Sequence, residues 1–131
     1  RDYAADGSTR HRSCALVGNS GTLLGGKQGR AIDGHDAVMR VNYAPIHGWE
    51  ADVGRKTTYD FSNRENARRI LQGRKFAWRS PESTLLFFET QSPVNRRSLF
   101  VPLLKKYPSA RVHFMHPAFV LRALALWNEL K

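Results

Sequence analysis

The sequence predicts an α/β domain with a Rossmann-like, largely parallel sheet flanked by helices. Strand-length apolar segments alternate with helical segments along the second half of the chain, which is typical of such layer structures. A glycine-bracketed polar loop follows the first predicted strand directly. The continuous apolar run within Thr84–Glu89 suits a strand that is covered on both faces. Because the last predicted helix should lead into a further strand, we expect the sheet to be incomplete in this chain.

Strands and loops dominate the prediction for the first half. β-branched and apolar content favours strands at Ser13–Val17, Ala37–Asn42 and Thr57–Phe61. Glycines and polar residues make Thr22–Gly29 a loop, and Lys27–Asp33 favours the start of a short helix. Tyr43–Gly54 contains Pro45 and Gly48 and is expected to be irregular.

Helices and strands alternate from Asn63 onwards. Asn63–Gln72 predicts a helix that Ser62 or Asn63 caps and Gly73 ends. A second helix is predicted at Ser98–Tyr107. Pro102 should either limit this helix to its start or kink it. Arg111–Met115 predicts another strand. Pro117 opens a terminal helix at a favoured first-turn position, and His116 is expected to start it.

Composition and charge limit the class of protein. The chain has 131 residues, 41% of them hydrophobic, which is normal for one globular domain with a core. No apolar run approaches the roughly 20 residues of a membrane span. The net charge of +10 favours anionic partners in general, but the basic residues are scattered, which favours a solvated cationic surface. Polar residues 1–12 predict a tail or stem remnant, and 13–131 predict the domain.

Two asparagines follow neighbouring strands at the edge where α/β sheets bind ligands. Asn19 lies in the loop Gly18–Gly21, where glycines permit close approach of a ligand to the main chain. Asn42 ends the next strand. Each carboxamide offers one acceptor and one donor group, which suits a base, a ribose or a sugar. The alternative is that both are turn residues bonding their own backbone. The glycines do not form the GxGxxG pattern of dinucleotide-binding loops.

The order of these segments is similar to the long sialylmotif of the eukaryotic-type sialyltransferases. The resemblance rests on Cys14–Gly21 (CALVGNSG), on Gly29–Pro45 and on Asp52–Thr58 (DVGRKTT). It implies a variant of the GT-A glycosyltransferase fold and transfer of sialic acid from CMP-sialic acid to a glycan, with inversion. It also implies no metal or other cofactor, and no Asp-x-Asp pair occurs in the chain.

The resemblance assigns residues to the donor nucleotide. Asn19 and Asn42 match the family's nucleotide contacts, and Ser20 and Gly21 line the same loop. Asn63 could extend this site, although a helix cap is the simpler role. Asp33 and His35 are expected to hold the fold, and Arg40 is expected to support the sheet end through carboxylate or backbone bonds.

The family's later motifs are absent from this chain. They carry the general base, which we therefore expect beyond Lys131, and the cysteine that pairs with the one matching Cys14. Cys14 is the sole cysteine and is expected to be a free, partly buried thiol here. The resemblance further implies a glycoprotein or glycolipid acceptor and a Golgi membrane protein with its catalytic part in the lumen, held by an anchor outside this chain.

Two other functions stay open at this point. One is a non-catalytic homologue that binds a CMP-sugar. The other is a basic nucleic-acid-binding α/β module, for which residues 74–79 (RKFAWR) form the best cluster of basic and aromatic side chains. We expect that cluster to be a surface loop and expect no nucleic-acid partner.

Overall fold

A five-stranded parallel sheet forms the centre of the protein. The computed structural model describes residues 11–73 and 82–131, so residues 1–10 of the predicted tail and the basic cluster at 74–79 lie outside the described residues. All neighbouring strands pair in parallel, in the order β1-β2-β3-β4-β5. The strands are β1 Cys14–Val17, β2 Ala37–Val41, β3 Tyr59–Ser62, β4 Thr84–Phe87 and β5 Val112–Phe114. The predicted fold class is confirmed.

Helices and helical turns connect the strands. A short 3-10 turn, Gly21–Leu23, lies within the first predicted loop. The helices are α1 Gly29–Asp33, α2 Glu50–Val53, α3 Arg64–Leu71, α4 Pro93–Asn95, α5 Val101–Lys106 and α6 Pro117–Glu129, with a π-helical turn Arg96–Phe100 between α4 and α5. His116 starts α6 as predicted, because its Nδ1 accepts the N–H of Ala118.

The main core lies on one face of β4. Leu85 and Phe87 are almost fully buried there. They pack with Ala67 and Ile70 of α3 and with Phe100 near the start of α5. Burying each of the larger side chains stabilises the fold by about 1.5–3 kcal/mol. Together these contacts hold α3 and the α4–α5 segment against the sheet.

The opposite face of the sheet is only partly covered. Phe61 and Phe88 stack there with ring centroids 4.6 Å apart, and they face α6 across a cavity of about 230 Å³. No residue of α6 is buried, and Trp127 is 60% exposed. In the described ranges, no helix is long and apolar enough to cross a membrane.

Three parts of the predicted secondary structure differ from the structure in ways that its local chemistry explains. Helical structure begins at Pro93 instead of Ser98, because Ser92 caps the helix and Pro93 occupies its first turn. Within Tyr43–Gly54, predicted to be irregular, the short helix α2 forms. The second strand ends at Val41, because Asn42 and Tyr43 both take positive φ, 53° and 55°.

Candidate functional site

The loop after β1 presents its polar groups to solvent. Asn19 is exposed, and its side chain makes no hydrogen bond to any residue that the structure describes. Ser20 caps the following 3-10 turn, since its Oγ accepts the backbone N–H and the hydroxyl of Thr22 at 3.3 and 3.1 Å. The Ser20 hydroxyl therefore shapes the loop, while the Asn19 carboxamide is available to a ligand.

This loop forms one wall of a cavity of about 230 Å³. Gly18, Asn19, Ser20 and Gly21 supply its polar side. The opposite side is apolar and includes Leu24, Pro45 and the half-exposed Trp49. A polar strand end facing an aromatic ring is suited to a ligand that combines a flat ring with hydrogen-bonding groups.

Asn42 is held at the end of β2 by three hydrogen bonds. Its backbone N–H donates to the carbonyl of Phe61 at 2.9 Å. Its Oδ1 accepts the backbone N–H of Asn63 at 3.2 Å and the side-chain Nδ2 of Asn66 at 3.0 Å. The acceptor half of this carboxamide is thus engaged within the protein, which leaves its NH2 group for a ligand.

The predicted cap of α3 is confirmed. Asn63 takes extended backbone angles, and its Oδ1 accepts the N–H of Asn66 at 3.0 Å. Because capping engages this oxygen, the side chain has less capacity left for a nucleotide. Its suggested contact with the donor stays a prediction.

The two predicted donor residues lie at neighbouring strand ends. Val17 pairs with Arg40 in the parallel register of β1 and β2. Asn19 lies two residues beyond the end of β1, and Asn42 directly follows β2, so both lie beyond the carboxyl ends of adjacent parallel strands. The cavity beside Asn19 is not lined by Asn42, however, so a ligand that contacts both residues must extend beyond it.

Carboxylates fix the loops around this edge. Asp52 accepts the backbone N–H of Lys27 at 2.9 Å. Hydrogen bonds from the backbone of Gly25 and then of Lys27 lower the pKa of the Asp52 carboxyl below its ordinary value of 3.8. Asp33 accepts the backbone N–H groups of Arg55 and Lys56 at 2.9 Å. These contacts support the structural role predicted for Asp33.

Arg40 supports the sheet from within. Its side chain is almost fully buried, and its Nε and Nη2 donate to the carbonyl of Lys56 at 3.1 and 2.8 Å. In the register of β2 and β3 it pairs with Asp60, which is buried as well. The predicted bond to backbone is confirmed.

Sequence reasoning missed two residues of this edge. Trp49 lies in a segment that was expected to be irregular, so nothing in its spacing pointed to the cavity. Asn66 lies three residues after a capping asparagine, and only the turn at Asn42 brings the two side chains together.

His35 Nδ1 lies 2.9 Å from the carbonyl of Ala31, which fits the fold-holding role predicted for it. Cys14 is free as predicted, but it is exposed and not partly buried, because β1 is an edge strand.

Comparison with known proteins identifies the family. Residues 1–129 match the family described as Glycosyltransferase family 29 (sialyltransferase). The chain belongs to the sialyltransferase family. It is 35% identical over 122 residues to CMP-N-acetylneuraminate-beta-galactosamide-alpha-2,3-sialyltransferase 1 of Sus scrofa, covering 90% of this chain and 36% of that protein. It is 52% identical over 63 residues to Sialyltransferase-like protein 2 of Oryza sativa subsp. indica, covering 48% of this chain and 16% of that protein.

Solved sialyltransferase structures share this fold. A mammalian sialyltransferase superposes with a TM-score of 0.60 at 30% identity, covering 81% of this chain and 40% of that one. The same values hold for a mammalian sialyltransferase in complex with Gal-beta-1-3GalNAc-ortho-nitrophenol. The matched regions thus cover only 16% to 40% of the length of these relatives. Within residues 11–73 and 82–131, no group of three or more His, Cys, Asp or Glu side chains could hold a metal ion.

Proposed function

We propose that this chain supplies the donor-nucleotide half of a sialyltransferase that transfers sialic acid from CMP-sialic acid to a glycan acceptor. The observation that carries the proposal is the position of two carboxamides, Asn19 and Asn42, just beyond the carboxyl ends of adjacent parallel strands in a member of this family. Both have hydrogen-bonding groups to spare, and neither carries a charge. They suit the neutral, planar and hydroxylated parts of a nucleotide.

The proposed reaction displaces CMP at the anomeric carbon with inversion. Negative charge develops on the leaving phosphate, and the acceptor hydroxyl loses its proton to a general base. The backbone N–H groups of the loop Gly18–Gly21 and the Asn42 NH2 are candidates to hold the CMP portion. We assign the base to a residue beyond Lys131, and we expect no metal to take part.

The acceptor and the location follow from the same proposal. A glycoprotein or glycolipid glycan is the acceptor, and the Golgi lumen is the site of action, with a membrane anchor outside residues 1–131. The alternative of a nucleic-acid-binding module is not favoured, because the chain belongs to the sialyltransferase family. A non-catalytic CMP-sugar-binding homologue remains the second candidate.

A transfer assay tests the proposal. The full-length protein is incubated with CMP-sialic acid and galactose-terminated glycans, and both CMP release and sialylated product are measured. We expect product from the unmodified protein and from Asn128→Ala, which changes an exposed residue of α6, and a strong loss from Asn19→Ala. CMP binding in a separate calorimetric titration, with no product in this assay, would favour the non-catalytic homologue. The absence of both would contradict the proposal.

A further inference from the structure

Asn66 is a buried polar residue whose side chain is aimed at the candidate site. It lies in the first turn of α3 and is 6% exposed. Its Nδ2 donates to Oδ1 of Asn42 at 3.0 Å. Asparagine is not a strong helix former, and a buried carboxamide loses its hydrogen bonds to water, so this side chain is costly unless it is well paired.

The chemistry of the contacts fixes the orientation of both carboxamides. A backbone N–H can only donate a hydrogen bond, and that of Asn63 lies 3.2 Å from one atom of the Asn42 side chain. That atom must be the oxygen. The group of Asn66 that also meets this oxygen must then be its NH2. Asn42 consequently directs its own NH2 away from α3.

The backbone at this point depends on the same contacts. Asn42 and the following Tyr43 both have left-handed φ, 53° and 55°. Asparagine tolerates this conformation, whereas tyrosine rarely adopts it. The bonds from Asn63 and Asn66 to Oδ1, together with the Asn42 N–H bond to Phe61, hold the turn.

We propose that Asn66 is a positioning residue for donor binding. Its NH2 holds the oxygen of Asn42, so that the NH2 of Asn42 faces the nucleotide. This inference rests on the proposed function, because it takes Asn42 as a contact of the CMP portion. Within residues 11–73 and 82–131, the Asn42 NH2 donates to no other residue, so its donor capacity is intact.

Three substitutions in the full-length protein separate the roles. Asn66→Asp has almost the same shape but replaces the donating NH2 with an acceptor, so it repels the Asn42 oxygen. Asn42→Asp keeps an acceptor for Asn63 and Asn66 but removes the NH2 offered to the ligand. Asn42→Ala removes both. Asn128→Asp introduces the same change of charge on the exposed face of α6 and serves as the control.

The measurements are the Kd for CMP, the KM for CMP-sialic acid and for the acceptor, and the melting temperature. We expect Asn66→Asp to raise the Kd for CMP and the KM for CMP-sialic acid about ten-fold, with the acceptor KM unchanged. Asn42→Asp should lose as much affinity while melting near the wild-type temperature. Adding Asn66→Asp to Asn42→Ala should weaken CMP binding little further, because the side chain that Asn66 positions is already gone.

The outcomes distinguish two failures. If the Asn42 variants bind CMP normally, the donor role of Asn42 in the proposed function is wrong. The positioning role is overturned if the Asn42 variants bind CMP poorly while Asn66→Asp binds it normally. It is also overturned if Asn66→Asp costs the same CMP affinity in the presence and in the absence of Asn42. Should Asn66→Asp not fold, Asn66→Ala removes the donor without adding a charge and enters the same comparison.

Discussion

The carboxylate of Asp33 occupies the space that a Cβ at Gly54 would need. Both oxygens of Asp33 accept the backbone N–H of Arg55 at 2.9 Å, and Oδ1 also accepts that of Lys56. Gly54 has φ +73° and ψ 175°, a conformation that is nearly restricted to glycine. The end of α1 is thereby joined to the segment that leads into β3, which sets the position of the loops around the candidate site.

Gly54→Ala should therefore destabilise the protein. A Cβ at this position would meet Asp33 Oδ1, and it would lie 2.9 Å from the carbonyl oxygen of Gly29, in addition to the strained φ. We expect a loss of about 2–4 kcal/mol in the free energy of unfolding. Gly73→Ala is the control, because Gly73 has φ +70° but no atom of the described residues lies within 4 Å of its Cβ position. Equal losses in a urea titration would rule out the crowding by Asp33.

Acid should unfold the protein partly through its loop carboxylates. Backbone hydrogen bonds hold the pKa of Asp52 below its ordinary value of 3.8. The pKa of Asp36 is also lowered, first by a hydrogen bond from the backbone N–H of Arg12 and then by one from its guanidinium. A lowered pKa in the folded state contributes stability above the unfolded pKa and loses it as pH falls through the folded pKa. The melting temperature should thus drop below about pH 4. Asp52→Asn should reduce this drop, and an unchanged pH profile would remove Asp52 from the explanation.

The isolated 131-residue chain should lack transfer activity, because no residue in it is assigned as the general base. It should also bind a hydrophobic dye, since α6 exposes apolar side chains including Leu124 and Trp127. A Leu124→Gln, Trp127→Gln double variant should lower the dye fluorescence and keep the far-UV spectrum. Turnover of CMP-sialic acid by this chain alone would show that the base lies within it.

Cys14 should react differently in the short and the full-length chains. It is an exposed free thiol on an edge strand in this structure, so iodoacetamide should modify it without prior unfolding. In the full-length protein we expect it to be disulfide-bonded, as proteins of the secretory pathway often are. Mass spectrometry after alkylation without reductant measures both. Free alkylation of folded full-length protein would argue against the disulfide and weaken the Golgi assignment.

Local patterns in the sequence predicted most of the fold. Short apolar and β-branched segments predicted β1 to β5, and capping chemistry predicted the start of α3 at Asn63 and of α6 at His116. Ser92 and Pro93 together carry a helix-start signal that the predicted start at Ser98 did not include. The π-helical turn Arg96–Phe100 precedes Pro102, whose missing N–H cannot complete an ordinary α-helical bond to Ser98.

The details of the candidate site depended on contacts between distant residues. The sequence could place Asn19 and Asn42 at strand ends, because parallel strands all end at one edge of the sheet. It could not indicate that Asn66 holds the oxygen of Asn42, since this contact requires the left-handed turn at Asn42 and Tyr43. Trp49 was missed for a similar reason, because its place in the cavity is set by tertiary packing.

Calorimetric titration of CMP into the full-length protein tests the central claim most directly. Asn19 makes no contact that the fold requires within the described residues, so Asn19→Ala should leave the melting temperature unchanged. We expect it to weaken CMP binding by about 1–3 kcal/mol, the cost of leaving a polar partner unpaired. Asn128→Ala should bind as the wild type does. Unchanged CMP affinity in a folded Asn19→Ala variant would contradict the claim that the loop after β1 binds the donor nucleotide.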